Sequence, residues 1–295
     1  MDENVVHLLQ VPHHPKIFII PFQAKESSKT RQTVHDWQDL LSDLGIKKQD
    51  AIVAVGGGIT LDITGFLAST YLRGIDCYYI PTTLLAMTDA AFGGKTAVNT
   101  HHGKNLIGSF YLPKNTLIDP LFLRTLSPID RLNGISEMIK YGILLDPQIL
   151  DLLKVDPFDP EGIERSIRCK LEVVTKDLYD QNLRQVLNFG HTIGHAIEAS
   201  THYRIPHGLA VFFGMQLESG LIPSFQHHLR ILKELEDHFS YPKISTLEID
   251  WQLFVSSILK DKKSKSDKVP IVSSAFGDIK ELEIETILSH IKKSL

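Results

Sequence analysis

Ala51-Ile52-Val53-Ala54-Val55-Gly56-Gly57-Gly58-Ile59-Thr60-Leu61 is the stretch on which the fold turns. A continuous apolar run of this length reads as a strand buried on both faces, and the three glycines close it. Apolar residues at helical spacing follow from Leu61 to Leu72 and stop near Gly74. Working outward, Ile17-Phe18-Ile19-Ile20 before Pro21 reads as an earlier buried strand, and Cys77-Tyr78-Tyr79-Ile80 before Pro81 as a later one. Between the first two strands, Val34, Trp37, Leu40, Leu41 and Leu44 mark a helix over Ser28 to Leu44 that Gly45 ends. Strand, helix, strand, helix, strand with unbroken apolar strands predicts a parallel sheet covered on both faces.

Beyond Leu123 strand-like runs become scarce. Helical patterns dominate at Arg131 to Leu145, Glu161 to Leu178 and His191 to Ser200. The reading divides the chain near Thr125-Leu126-Ser127-Pro128, into residues 1–125 and an all-helical half, 126–295. Asp156 to Pro160 is expected to be a loop, and Lys260-Asp261-Lys262-Lys263-Ser264-Lys265 a solvated basic segment.

Composition narrows the function. The 295 residues carry 31 Lys+Arg against 35 Asp+Glu, a net charge of −4 with no basic footprint for nucleic acid or an anionic membrane. At 43% hydrophobic residues the chain can bury a sizeable core. Cys77 and Cys169 stand outside any CxxC pair and read as reduced thiols of a cytoplasmic protein. Met1-Asp2-Glu3-Asn4 has neither the basic nor the apolar region of a signal peptide, and no apolar run reaches membrane-spanning length. Fourteen histidines are the compositional oddity, and they direct attention to metal or acid–base chemistry.

Glycines between a strand and a helix let a backbone approach a phosphate while the helix aims free N–H groups at it. Gly56-Gly57-Gly58 is not a GxGxxG pattern, however, and a plain tight turn competes with a nucleotide site there. Asn188-Phe189-Gly190-His191-Thr192-Ile193-Gly194-His195-Ala196-Ile197-Glu198 is the densest chemical stretch. Spacing alone puts His191 and His195 on one helix face and nominates both as metal ligands, with Glu198 or His207 as a third. Two hydrogen-bonded helix histidines would explain the same pair. Glu137 and Lys140, one turn apart on another helix, together with His207 after a proline, suit a three-ligand catalytic zinc site. His101, His102, His227, His228 and His238 read as surface residues. Arg73, Lys95, Lys104 and Arg184 near glycine turns suggest a small substrate bearing phosphate or carboxylate.

As a set the residues resemble 3-dehydroquinate synthases. The likeness runs through Gly56-Gly57-Gly58 with Asp62, Gly65-Phe66, Arg73-Gly74, Pro81-Thr82-Thr83-Leu84-Leu85, Asp89, and Gly93-Gly94-Lys95-Thr96-Ala97-Val98-Asn99. It continues in Gly103 to Gly108, Glu137 to Gly142, Leu187 to Glu198 and Asp261-Lys262-Lys263. The resemblance implies an amino-terminal Rossmann-like NAD-binding α/β domain and a helical metal-binding domain. It moves the metal ligands to Glu137, His191 and His207, for zinc or cobalt, and turns His195 toward substrate. It implies catalytic roles for His195, Lys140, Lys95 and Asn188, and substrate contacts at Arg73, Asn105, Lys170, Arg184 and Lys262. Cofactor contacts would be Asp2, Asn4, Glu26, Lys29, Gly56, Gly57, Gly58, Asp62, Thr82, Thr83, Asp89, Lys104 and Thr125.

The implied activity turns 3-deoxy-D-arabino-heptulosonate 7-phosphate into 3-dehydroquinate and phosphate, with NAD reduced and reoxidised in each turnover, in a homodimer. Competing readings are another sugar phosphate cyclase, a metal-dependent alcohol or glycerol dehydrogenase, and a non-catalytic paralogue. The chain departs from the family pattern at Lys25, Leu61, Leu178, Asn182 and Leu209. It also starts near the end of an early family strand, so Asp2 and Asn4 are expected to fray and to weaken NAD binding.

Overall fold

The computed structural model describes residues 1–260, 268–274 and 277–294. The chain forms two compact units, Met1–Leu126 and Ser127–Leu295. Lys262 and the rest of the expected basic segment beyond Lys260 lie outside the described residues.

Unit 1 opens its regular structure with α1 (Arg31–Asp43), which starts where Thr30 Oγ1 accepts the N–H of Thr33 and ends before Gly45, at φ +71°. Then come β1 (Ala51–Gly56), α2 (Gly58–Thr70), β2 (Asp76–Pro81), α3 (Leu84–Thr88), β3 (Lys95–Thr100), β4 (Gly103–Phe110) and the two-residue β5 (Asn115–Thr116). Strands β1, β2 and β5 form a parallel sheet in that order, β1 and β2 in register from Ala51↔Asp76 to Gly56↔Pro81. Strands β3 and β4 form an antiparallel hairpin.

Helix α2 is apolar around most of its circumference because it is wedged between the sheet and β3. A Cβ on Gly65 would stand 2.1 Å from the Tyr79 hydroxyl of β2 and 2.5 Å from Thr96 Cγ2 of β3. Leu61, Ile63 and Leu67 bury there with Val34, Leu41, Cys77, Tyr79 and Val98, each large aliphatic contributing about 1.5–3 kcal/mol.

Three expectations for this unit fail. Ile17, Phe18 and Ile19 are 45–46% exposed and form no strand. An apolar run becomes a strand only beside a ladder partner, and here the pairing shrinks to a single parallel bridge, Asp2↔Phe22. Phe22, not the isoleucines, enters the core, edge-on to Trp37 at 5.0 Å. That same bridge removes the expected fraying. The Asp2 N–H donates to Val55 O at 2.8 Å, the Glu3 N–H to Phe22 O at 3.0 Å, and the Met1 ammonium to Ile20 O at 2.9 Å. One face of the sheet is also open over part of its length, since the paired Val53 and Tyr78 are 51% and 38% exposed while Val55, on the same face, is buried.

Unit 2 contains α4 (Pro128–Leu144), α5 (Gln148–Val155), α6 (Pro160–Lys176), α7 (His191–Ser200), α8 (His207–Leu221), α9 (Gln226–His238) and α10 (Trp251–Lys260). It closes with β6 (Lys268–Val272), β7 (Ile279–Glu283) and α11 (Ile284–Ser294). Helices α4 and α6 begin at prolines that follow capping Ser127 and Asp159, which is why both start ahead of their first apolar residue. Helix α8 is buried from Gly208 through Met215 and forms the centre of the unit. The β6/β7 hairpin departs from the all-helical expectation. Pro270 excludes a helix interior, while Val269, Ile271 and Val272 supply a buried face too short for a helix.

Among the described residues no helix is long and apolar enough to cross a membrane. Cys77 and Cys169 are both buried and free, and burial pushes their thiols up to about 12 and about 11.

Candidate functional site

Helices α4, α7 and α8 each deliver one side chain to a common point in unit 2. Glu137 Oε1 lies 3.5 Å from His191 Nε2 and 3.7 Å from His207 Nε2. The three ligand atoms fall within 4.8 Å of one another. These gaps exceed hydrogen-bond length, and Glu137 Oε1 is buried with no hydrogen-bond partner. Such an oxygen costs about 1–3 kcal/mol unless something electropositive meets it. The other carboxylate oxygen, Oε2, takes a short hydrogen bond from buried Lys140.

The imidazoles are aimed from behind. His191 Nδ1 lies 3.2 Å from Phe189 O, and His207 Nδ1 lies 3.1 Å from Glu198 Oε2. With the proton on Nδ1 in each ring, both Nε2 lone pairs face Glu137, as metal-ligating histidines require. Burial, and then the nearby Lys140, His207 and His195, hold His191 well below the ordinary histidine pKa. Burial also pushes His207 down, but Glu198 and Glu137 outweigh it and its pKa is raised. The donor set of two imidazoles and a carboxylate suits a divalent transition metal.

His195 lies one turn along α7 from His191, with ring centroids 5.5 Å apart and the planes perpendicular. A second group, His195, Glu198 and His207, also has its ligand atoms within 4.8 Å. Glu198, weighed from sequence only as a ligand, holds His207 Nδ1; its spacing three residues after His195 was the available signal. Asn133 was missed altogether. Its Oδ1 accepts the Gly208 N–H at 2.5 Å and anchors the start of α8, yet nothing in its local sequence marks it. Lys170 on α6 and Arg184 before α7 are buried, and Arg184 Nη1 donates to Leu178 O at 2.8 Å. Asn188 is half-buried in the turn before α7. His228 is not the surface residue expected, because its ring packs on Phe225 at 4.5 Å and its Nδ1 is buried.

Unit 1 gathers another set. Lys29 Nζ donates to Asp62 Oδ2 at 2.5 Å and to Asn105 Oδ1 at 2.7 Å. Asn99 Nδ2 donates to Glu26 Oε1 at 2.6 Å, and Lys104 pairs with Glu26 at 3.5 Å. The Asn105 N–H reaches Asn99 Oδ1 at 3.0 Å, so Asn99, not singled out from sequence, joins the two halves. Burial raises the Asp62 pKa, although Lys29 pulls it down. Helix α2 begins without a side-chain cap at Gly57, where a Cβ would come within 3.1 Å of Thr83 Cγ2. The turn therefore presents the start of α2 without a side-chain cap, in a space that a side chain at Gly57 would crowd.

Thr82 is buried beside the turn, its N–H on Gly56 O, while Thr83 caps α3 and Asp89 follows its end. Asp2 and Asn4 bond each other instead of projecting, through Asn4 Nδ2 to Asp2 Oδ1 at 3.1 Å. Arg73 and Lys95 are exposed, and Thr125 is an exposed residue whose hydroxyl donates to Phe122 O.

Residues 19–132 match the family described as 3-dehydroquinate synthase N-terminal, and residues 134–264 the one described as 3-dehydroquinate synthase C-terminal. A 3-dehydroquinate synthase of Corynebacterium jeikeium (strain K411) is 38% identical over 263 residues, covering 84% of this chain and 70% of that protein. Among solved structures, 2-deoxy-scyllo-inosose synthase complexed with carbaglucose-6-phosphate, NAD+ and Co2+ is similar with a TM-score of 0.85 at 28% identity, over 94% of this chain and 83% of that one. A 2-epi-5-epi-valiolone synthase from Streptomyces hygroscopicus subsp. jinggangensis 5008, with NAD+ and Zn2+ bound, has a TM-score of 0.79 at 27% identity, over 92% and 81%.

Proposed function

This chain belongs to the 3-dehydroquinate synthase family, and from that premise we propose how it works as an enzyme of the sugar phosphate cyclase type. Its substrate is 3-deoxy-D-arabino-heptulosonate 7-phosphate and its products are 3-dehydroquinate and phosphate, which makes it a phosphate lyase of the shikimate pathway. The observation that carries the reading is Glu137 Oε1, a buried oxygen with no hydrogen-bond partner, faced by the Nε2 atoms of His191 and His207 at 3.5 and 3.7 Å. When bound, NAD supplies a reversible oxidation of one ring alcohol, and a zinc or cobalt ion on Glu137, His191 and His207 polarises the oxygen at that carbon.

The rest falls to the side chains. The Gly56 to Gly58 turn and the start of α2 present N–H groups to the cofactor's pyrophosphate. Around it, Asp2, Asn4, Glu26, Lys29, Asp62, Thr82, Thr83, Asp89, Lys104 and Thr125 are its proposed contacts. Arg73, Lys95, Asn105, Lys140, Lys170, Arg184, Asn188 and Lys262 bind the substrate's phosphate and carboxylate, where guanidinium and ammonium groups can take up negative charge as phosphate leaves. His195 moves the proton, being an imidazole on the face of α7 that also carries His191. Lys140 also holds the second oxygen of Glu137 and so fixes the carboxylate's orientation. We place this activity in the cytoplasm, in a homodimer.

The test is a phosphate-release assay on the full chain with NAD and zinc. Phosphate should appear with no build-up of NADH absorbance. One NADH per substrate would identify a dehydrogenase instead, and no phosphate from protein loaded with both groups would identify a non-catalytic paralogue.

A further inference from the structure

Helix α7 starts at His191, so a metal-site imidazole occupies its first turn. The N–H groups of that turn have no acceptor within the helix, and the cap residue, Gly190, has no side chain to offer. The acceptor comes from α8. Glu218, 0% exposed, takes the Gly190 N–H on Oε2 at 2.8 Å and the Ile193 N–H on Oε1 at 3.3 Å. One carboxylate thus bridges the cap position and the third helical residue, and its charge lies at the positive end of the helix dipole.

The contact between these two helices explains why such a bridge matters. They meet on glycine: a Cβ on Gly214 would stand 1.9 Å from Gly190 O, and one on Gly194 would stand 3.0 Å from Ala210 O. Gly190 itself, at φ +78°, would drive a Cβ to 2.4 Å from Met215 Cγ. Smooth backbone surfaces of this kind set how closely two helices approach but resist sliding poorly, because they have few knobs to lock into holes. His191 begins α7 and His207 begins α8, so the axial register of the pair sets the gap between their imidazoles, now 5.3 Å between ring centroids. A slip of one residue moves a helix by about 1.5 Å, far beyond the roughly 0.2 Å tolerance of a metal–ligand bond.

We propose that Glu218 is a positioning residue: by holding the N-terminus of α7 it fixes the register of α7 on α8 and so the aim of His191. This rests on the metal reading of Glu137, His191 and His207.

The test titrates Co2+ into the metal-free full chain and into Glu218→Gln, following the visible absorption bands. Glutamine keeps the size but turns an NH2 toward one of the two N–H groups, so binding should weaken at least about tenfold and the bands should shift. Glu218→Gln with wild-type affinity and spectrum overturns the proposal, since packing alone would then account for the site. Wild-type protein that binds no Co2+ overturns the metal assignment itself, and this proposal with it. Amide hydrogen exchange on the metal-free wild type decides the matter even if the variant does not fold. The Gly190 and Ile193 amides should exchange as slowly as the interior of α7, and rates typical of free amides would overturn the proposal.

Discussion

Two buried charge networks, one in each unit, are built on opposite principles. Around Lys29 two partners are engaged, because Asp62 and Asn105 both accept from the ammonium. Around Glu137 they are not, because Oε1 faces two imidazole nitrogens at 3.5 and 3.7 Å and has no donor. The first network holds itself together and must exchange partners when a ligand arrives. The second aims its potential donor atoms at one point, an arrangement that could hold a metal ion. An unpartnered buried oxygen alone does not mark a ligand site, since Thr60 Oγ1 and Tyr79 Oη are also without a partner; at Glu137 it is the convergence of two imidazoles on that oxygen that sets the second network apart.

Removing one partner from each network should expose the difference most sharply. Glu137→Ala deletes a proposed ligand and leaves Lys140 buried without its carboxylate, so metal content and turnover should vanish and stability should fall by about 3–5 kcal/mol. Asp62→Ala should cost clearly less, since Asp62 is 22% exposed and Lys29 keeps Asn105; NAD affinity should drop while zinc affinity holds. Metal analysis, calorimetry and urea unfolding measure all of these, and equal stability losses would break the comparison.

His195→Ala is expected to keep its metal and lose roughly 10²–10⁴ in kcat, the usual worth of a proton-transferring group. Loss of metal from this variant would favour the group of His195, Glu198 and His207 instead. Glu198→Gln leaves every proposed ligand in place but weakens the hold on His207 Nδ1, and zinc affinity should fall about 10–100-fold by competition with a chelator.

The pH dependence follows from the two histidines. His191 is held well below its ordinary pKa and is neutral already, whereas His207 is raised and must lose a proton to bind metal. Affinity should climb as pH rises through the His207 pKa and level off above it, with a fall of about tenfold per pH unit below. For the metal-free fold the sign is opposite: a raised pKa contributes stability at low pH that is lost as pH rises through it. Calorimetry in buffers of different ionisation enthalpy should count about one proton released near neutrality. Release that did not change with pH would mean that His207 is not the titrating ligand. At the smallest end, Arg168→Ala on α6 removes the exposed pair with Glu164 and should cost no more than about 0.5 kcal/mol of stability, with metal and NAD affinities unchanged.

Local sequence carried a good deal of this. The apolar run before Gly56 is β1, the spacing around Leu61 is α2, and His191 to Ser200 is helical with His191 and His195 one turn apart. Each of these rests on a period of two or 3.6 residues that a short window contains. Reading failed where the outcome depended on a distant neighbour. Ile17 to Ile20 had the composition of a strand and no ladder to join, while Val269 to Val272 lay too near a proline and a charged segment to stand out.

The site divides along the same line. Composition and spacing directed attention to metal chemistry and put His191 and His195 on one helix. The family resemblance named Glu137, His191 and His207, and the apolar run showed that glycines close the first complete strand. Only tertiary structure showed which oxygen of Glu137 faces the two imidazoles and at what distance, that Glu198 stands behind His207, and that Glu218 caps α7. Helical period orders side chains around one axis. The approach of α4, α7 and α8 is set by packing between residues far apart in the chain, and by glycines whose missing Cβ atoms let backbones touch.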